Sequence, residues 1–369
     1  MAKNIWEIDI NYKPESTEYE DVKFYSVTEK PFSLEGLYKA EETGIFTRLP
    51  MEFKQRADLN DVAKVVMTHT AGAKVRFITD SPYVVLYACL GEQSYVMHHM
   101  ADTGIKGFDM YIRPEGSRDE DAFCNVFIPN TKEDGSYSGS VDLKYSASRE
   151  ITINFPLYHN VDKVFVGLKE GASVKAPSDY AVEKPVVFYG SSITQGGCAS
   201  RPGMAYPAIL ARKVGFRHVN LGFSGAGRGE QLVAEFIADM DMSMFVMDYD
   251  YNALSLEHLQ KTHYPFYETI RAKHPDIPII MMTAPVNLVN EYRQNNPLLR
   301  DRRITIMNSY IKAVASGDEN VYFVDGASLL GTESPFNSTV DGTHPNDYGF
   351  CHMADVLYPI VKRLLLGRY

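Results

Sequence analysis

The feature that most constrains this chain is a change in the period of its hydrophobic pattern. Up to about residue 170 the period is two. In Lys74-Val75-Arg76-Phe77 apolar residues alternate with charges. Val141, Leu143 and Tyr145 alternate with Asp142 and Lys144. Ile151, Ile153 and Phe155 alternate with Thr152 and Asn154. Alternation of this kind is what a half-buried strand requires, with one face packed and one wet. Turn signals such as Asp80-Ser81-Pro82 and Glu133-Asp134-Gly135-Ser136 separate the runs. Many short strands with few helical stretches predict an antiparallel sandwich.

From Val186 the pattern becomes short unbroken apolar runs: Val186–Tyr189, Val219–Leu221, Met244–Met247, Ile279–Met282 and Val321–Val324. Helical stretches lie between them. Ile304, Met307, Ile311 and Val314 fall at i, i+3, i+7 and i+10, one face of a helix. Alternating strand and helix implies a parallel sheet covered by helices on both faces. Lys169–Lys184 has neither period and reads as a linker. The expected organisation is a β-sandwich domain over residues 1–170, a linker over 171–184 and an α/β domain over 185–369.

Composition narrows the function. The chain is 45% hydrophobic and 23% charged, enough for two cores and too apolar for a disordered chain. Its net charge is −10, and no Lys/Arg cluster suits phosphate neutralisation, which argues against nucleic acid as a partner. The densest basic spot, Arg300, Arg302 and Arg303 around Asp301, reads as a solvated helix start. No apolar run has signal-peptide length or the ~20 residues of a membrane span, so no membrane partner is expected. Cys89, Cys124, Cys198 and Cys351 form no CxxC pair and no zinc pattern; they read as free thiols of a cytoplasmic protein, with Cys198 a small packing residue.

In an open α/β sheet the active site lies beyond the carboxyl ends of the strands. The segments there are Gly190-Ser191-Ser192-Ile193-Thr194, Gly222-Phe223-Ser224-Gly225, Asp248-Tyr249-Asp250-Tyr251-Asn252 and, near the end of the chain, Asp341-Gly342-Thr343-His344. Together they hold the parts of an acyl-transfer centre. A serine hydroxyl needs a base to take its proton, and His344 can be that base. Asp341, three residues earlier, can hold the imidazole tautomer; Asp325 also follows a strand and is the alternative orienter. An oxyanion needs preorganised donors, and the backbone N–H groups of Ser192 and Gly225 with the Asn252 amide can supply three. Asp248 and Asp250 have no His or Cys nearby and read as helix caps rather than metal ligands, and His98-His99 reads as an exposed loop pair. No metal and no cofactor is expected.

At these blocks the chain resembles the SGNH/GDSL hydrolases. The family's GDS block corresponds to Gly190-Ser191-Ser192, which makes Ser192 the implied nucleophile. The glycine block corresponds to Asn220–Gly225, with Gly225 as oxyanion glycine. Asn252 matches the Asn of GxND, with Asp250 where Gly is usual and Ala253 where Asp is usual. Asp341 and His344 match DxxH. Phe188–Gly203, Pro156-Leu157-Tyr158 and Gly107-Phe108-Asp109-Met110-Tyr111 are similar to a subgroup whose N-terminal sandwich bears a GxDLY motif, with Met110 for the Leu. The resemblance implies a flavodoxin-like hydrolase domain after an all-β sandwich, and an esterase working through an acyl-enzyme.

The expected substrate is a small-molecule or oligosaccharide ester with a short acyl group, acetyl on a carbohydrate first, with lipid or aryl esters as the alternative. Arg201, beside Pro202-Gly203, is a candidate substrate contact. A homo-oligomer is compatible with the sequence. Two rivals are weaker. A dinucleotide loop at Gly225-Ala226-Gly227-Arg228-Gly229 breaks its spacing at Glu230. A non-catalytic carbohydrate-binding protein has no use for an aligned Ser, His and Asn.

Overall fold

The computed structural model describes residues 19–92, 97–117, 120–285, 297–331 and 335–367. They fall into two compact units. The first holds residues up to Leu49, Thr68–Asp179 and Arg201–Gly203; the second holds Pro50–Met67, Tyr180–Ser200 and everything from Met204.

In the first unit, β1 (Val22–Ser26), β4 (Tyr83–Leu90), β7 (Ser136–Asp142) and β9 (Val161–Lys169) form one antiparallel sheet in the order β1-β9-β4-β7. β3 (Lys74–Thr79), β5 (Phe108–Pro114), β6 (Ala122–Phe127), β8 (Arg149–Asn154) and the short β10 (Val174–Lys175) form the other in the order β10-β3-β8-β5-β6. β2 (Ser33–Glu35) pairs with β3. Val75, Phe77, Ile151 and Ile153 from one sheet pack with Val84 and Leu86 from the other in a single buried cluster. The sandwich read from period two is present. The expected linker instead carries β10, which pairs with β3, and the alternation after Asp142 stops being strand where Lys144 takes φ 71°.

The faces read as wet are not wet. Every residue of β3 and of β8 is buried. Arg76 meets Glu35 at 3.3 Å and closes a shorter contact to Glu150. Glu150 also takes Arg113 at 2.7 Å, and Lys74 lies 3.7 Å from Glu35. Burial pushes the Glu150 carboxyl up, but the charges of Arg76 and Arg113 and their hydrogen bonds outweigh it and hold it below the usual glutamate value. Period two therefore reports the side of the pleat, while pairing of opposite charges makes the polar side tolerable indoors.

In the second unit, β11 (Val182–Gly190), β12 (Phe216–Gly222), β13 (Met244–Asp248), β14 (Ile279–Met282) and β15 (Val321–Val324) are parallel, in the order β12-β11-β13-β14-β15. Counted within this unit the order is 2-1-3-4-5, that of flavodoxin-like folds. All five apolar runs are strands. Residues 50–67 belong here because Asn60, which caps the helix Asp61–Val66 through Ala63 N, donates its amide to the Ala226 carbonyl at 3.0 Å and to Glu230. That long-range contact has no local signature, so the expected boundary at residue 170 is too simple.

The helix Pro297–Ala315 carries the apolar stripe on its outer side. Ile304, Met307, Ile311 and Val314 are 38–53% exposed, while Arg302, Thr305, Ile306, Ser309 and Ala313 are buried. Arg302 is thus not solvated; its guanidinium is drawn inward by backbone carbonyls. Among the described residues no helix is long and apolar enough to cross a membrane.

The buried charge network generates a prediction. Glu150→Ala takes one partner from half-buried Arg113, which keeps Asp121 at 3.5 Å, and one from buried Arg76, which keeps Glu35, and should destabilise by about 1–3 kcal/mol, read as a lower urea midpoint. Because the folded carboxyl sits below its ordinary value, its stabilisation is present above the ordinary glutamate range and is lost as pH falls through the folded value. The difference between wild type and Glu150→Ala should therefore shrink on acidification.

Candidate active site

β11 ends at Gly190, and only glycine fits there. A Cβ would lie 2.1 Å from Thr194 Oγ1 and 2.3 Å from the Asp248 carbonyl. Ser191 follows as an N-cap, its hydroxyl accepting from Ile193 N at 3.2 Å. The one-turn helix Ser192–Gln195 then starts at Ser192 and ends at Gly196, whose φ is 105°. The two adjacent serines are thereby divided: Ser191 is spent on the cap, and Ser192 faces His344.

Ser192 Oγ lies 2.9 Å from His344 Nε2, and His344 Nδ1 lies 2.7 Å from Asp341 Oδ2. An ionised carboxylate only accepts, so Nδ1 carries the hydrogen and Nε2 is left to accept from the serine. Asp341 Oδ1 takes the backbone N–H groups of His344 at 2.8 Å and Thr343 at 2.9 Å. Burial pushes the Asp341 carboxyl up, but the His344 and Thr343 N–H groups and the imidazole outweigh it and hold it at about 2. Asp325 is not at this site: it pairs with Arg303 and caps Ala327 N at 3.0 Å.

The glycine block is bound to the serine turn by several hydrogen bonds. Asn220 Nδ2 donates to Thr194 O at 2.7 Å, and Ser224 N donates to Gln195 Oε1 at 2.8 Å. Phe223 N donates to Gly190 O at 2.9 Å. A Cβ on Gly222 would meet Gln195 N at 2.2 Å. Gly225 sits exposed on the following turn at φ 66°. The Phe223 carbonyl accepts three donors at 2.9 Å, from Ala226 N, Gly227 N and Asn252 Nδ2. One N–H of the Asn252 amide is thus committed to orienting it.

Thr194 and Asn220 lie within the quoted blocks with no role read from sequence, and Gln195 lies one residue beyond Thr194; all three hold the site. Polar residues at the edge of a motif are as often solvated, so sequence gives them no distinct signal. Asp248 and Asp250 cap no helix. Asp248 is buried, accepts from Thr194 Oγ1 at 2.9 Å, and its carbonyl takes Ser191 N at 3.0 Å; burial, with the Asp250 charge added, pushes its carboxyl well above the usual range. Asp250 accepts from Ala284 N at 3.0 Å, and burial pushes it up to about 6 against the pull of that N–H and of Arg302.

Cys198 is buried, and desolvation followed by the Asp341 charge pushes its thiol up to about 12, which suits packing rather than reaction. All four cysteines are unpaired, and His98 and His99 are exposed. Arg201 belongs to the first unit. Its guanidinium lies 3.9 Å from the Phe123 ring centroid, with Nε 4.0 Å from Asp109 Oδ2. Asp109 itself is fully buried and accepts from Asn154 Nδ2 and Gly203 N, both at 2.8 Å. A Cβ on Gly203 would strike the Tyr111 hydroxyl at 2.4 Å. The acid and the aromatic of Gly107–Tyr111 thus hold residues 201–203.

Comparison with known proteins gives the family. The GDSL-like lipase/acylhydrolase family matches residues 183–362, and the N-terminal domain of SGNH-hydrolase-type esterases, named GxDLY, matches residues 22–174. A protein assigned as a GDSL-like lipase from Bacteroides ovatus is 30% identical over 93% of this chain and 98% of its own, with a TM-score of 0.82. A salicylyl-acyltransferase from a tetracycline biosynthetic pathway shares the fold at 19% identity, covering 95% and 98% of the two chains, with a TM-score of 0.75. An acetyl xylan esterase from the rumen bacterium Butyrivibrio proteoclasticus shares it at 12% identity, covering 94% and 99%, with a TM-score of 0.55. No curated protein matches the chain. With a serine turn, a glycine turn, an asparagine turn and an Asp-x-x-His loop on a 2-1-3-4-5 sheet, and a GxDLY domain earlier in the sequence, the chain belongs to the GDSL-like lipase/acylhydrolase family of SGNH hydrolases.

Proposed function

We propose that the protein is a serine esterase that removes short acyl groups, acetyl first, from carbohydrate esters. The observation that carries the reading is the chain of contacts Ser192 Oγ to His344 Nε2 at 2.9 Å and His344 Nδ1 to Asp341 at 2.7 Å. Ser192 Oγ attacks the ester carbonyl as His344 Nε2 takes its proton. Asp341, ionised at its value of about 2, stabilises the imidazolium that forms. Negative charge then develops on the former carbonyl oxygen. The Ser192 and Gly225 backbone N–H groups and the remaining N–H of Asn252 are its proposed donors. The alcohol departs with the proton from His344, leaving an acyl-serine, and water repeats the sequence to release the acid and restore the enzyme.

The small residues Gly196-Gly197-Cys198-Ala199-Ser200 after the serine turn favour a short acyl group. A long-chain pocket would need an apolar channel, worth about 0.8 kcal/mol per buried CH₂. The loops after the five strands carry Asp, Asn, Gly, Tyr and Arg among a few apolar residues, a mixture that suits hydroxyl-rich alcohols. Arg201, which follows the small-residue loop after the serine turn, is the proposed contact to the alcohol part. Four unpaired cysteines fit a reducing compartment, and we place the enzyme in the cytoplasm on that ground.

Ser192→Ala should remove esterase activity by several orders of magnitude, up to roughly 10⁶ in kcat, with an unchanged circular dichroism spectrum, whereas Ser191→Ala should be far milder. Near-normal turnover of nitrophenyl acetate by Ser192→Ala would overturn the mechanism. For the acyl group, kcat/KM should fall from acetate to butyrate to octanoate esters of one phenol; a rise with length would mean a lipid ester is the substrate. Acetylated xylo- and manno-oligosaccharides test the alcohol directly.

Asp341→Asn should lower kcat by on the order of 10³–10⁴, because the amide holds the wrong imidazole tautomer. In the wild type Asp341 remains charged on acidification until pH approaches 2. Loss of the Asp341 charge should therefore contribute nothing to the pH dependence of kcat/KM between pH 4 and pH 7, and an NMR titration of the Asp341 carboxyl carbon should show no midpoint in that window. A midpoint there would overturn this.

A further inference from the structure

We propose that Arg302 is a positioning residue for the oxyanion donor Asn252, acting through the backbone carbonyls on either side of it; this rests on the reading of Asn252 given above. Arg302 lies in the helix Pro297–Ala315, fifty residues downstream of Asn252, and is only 7% exposed. Its Nη1 donates to the carbonyls of Asp250 and, at 3.0 Å, of Tyr251; its Nη2 donates to the Ala253 carbonyl at 2.6 Å. The residues immediately before and after Asn252 are therefore held by one planar cation. From the other side the Asp250 carboxylate takes Ala284 N at 3.0 Å, just beyond β14. The Asn252 amide is then set on the Phe223 carbonyl at 2.9 Å.

The bland reading is a buried arginine that anchors its helix. Two features favour positioning. The guanidinium meets carbonyl oxygens rather than a carboxylate, and all three belong to the four-residue turn Asp250–Ala253 that presents Asn252. An arginine fork can span several carbonyls with fixed geometry, which the compact ammonium of lysine cannot. An oxyanion donor is effective only when it is already in place as charge develops, so loosening this turn should cost the transition state and spare the ground state. The turn has Asp250 and Ala253 where the family pattern GxND has Gly and Asp, and Arg302 with Asp250 is the local means of holding it.

The test is a double-mutant cycle of Arg302→Met and Asn252→Ala, with Arg302→Lys beside it and Ser192→Ala as reference. Asn252→Ala should lower kcat by about 10²–10³. Arg302→Met should lower kcat by about 10–100-fold with KM within about threefold, because the lost interaction is one made in the transition state. Arg302→Lys should recover part of that loss. In the Asn252→Ala background Arg302→Met should cost little further, since the two act as one unit. If Arg302→Met proves too unstable to assay, Arg302→Lys replaces it in the cycle. Unchanged kcat, or a loss that is the same in both backgrounds, overturns the positioning role while leaving the esterase reading intact. Unchanged kcat in Asn252→Ala overturns it as well. Full activity in Ser192→Ala would instead bring down the esterase reading itself.

Discussion

The site depends on a close approach of backbone at the carboxyl ends of β11 and β12. At Gly190 and Gly222 a single added carbon would collide with neighbouring atoms at 2.1–2.3 Å. The approach lets the Phe223 N–H reach the Gly190 carbonyl and the Ser224 N–H reach the Gln195 side chain. The serine turn and the glycine turn are thereby one rigid body rather than two loops. A nucleophile and its oxyanion donors must keep their separation to within a fraction of an ångström, and backbone contact is the stiffest means available. The serine turn sits after β11, at the point in the sheet where strand order reverses, which is where the crevices of open α/β sheets form.

Buried polar groups make up the second layer of the design. Arg302 is buried against carbonyls, Asp248 against hydroxyls and Asp250 against a backbone N–H. In the sandwich, Arg76, Glu150 and Glu35 are buried against one another, with half-buried Arg113 on Glu150. Each would be costly alone, because charge or hydrogen-bonding capacity taken from water must be replaced. Replaced group by group, they specify one arrangement of the turns and one register of the strands. A purely apolar packing would give comparable stability with less directional control.

The chemistry divides between local and distant contributions. Asp341 and His344 are three residues apart and meet through their own loop, so the spacing alone brings carboxylate to imidazole. The contact of His344 with Ser192 spans 152 residues and exists only because the sheet returns the last loop to the first strand end. Arg302 is also distant from its partners, and its helix buries the polar face while leaving Ile304, Met307, Ile311 and Val314 outside. Helical spacing identifies the stripe and carries no information on which way it faces. What faces inward depends on the carbonyls waiting there.

The amino-acid pattern by itself determined the two-part architecture, the five parallel strands and the four blocks of the site. Each is written in short-range form: a period of two, an unbroken apolar run, or a turn directly after a strand. Tertiary structure alone decided that the polar faces of β3 and β8 lie indoors and that residues 50–67 pack with the second unit. It also decided that residues 201–203 are tied to Asp109, and that an arginine read as solvated grips the Asn252 turn. Those outcomes rest on partners dozens to hundreds of residues away. A polar residue's fate, solvated or buried, is set by whether such a partner arrives to replace water, and no local pattern records that.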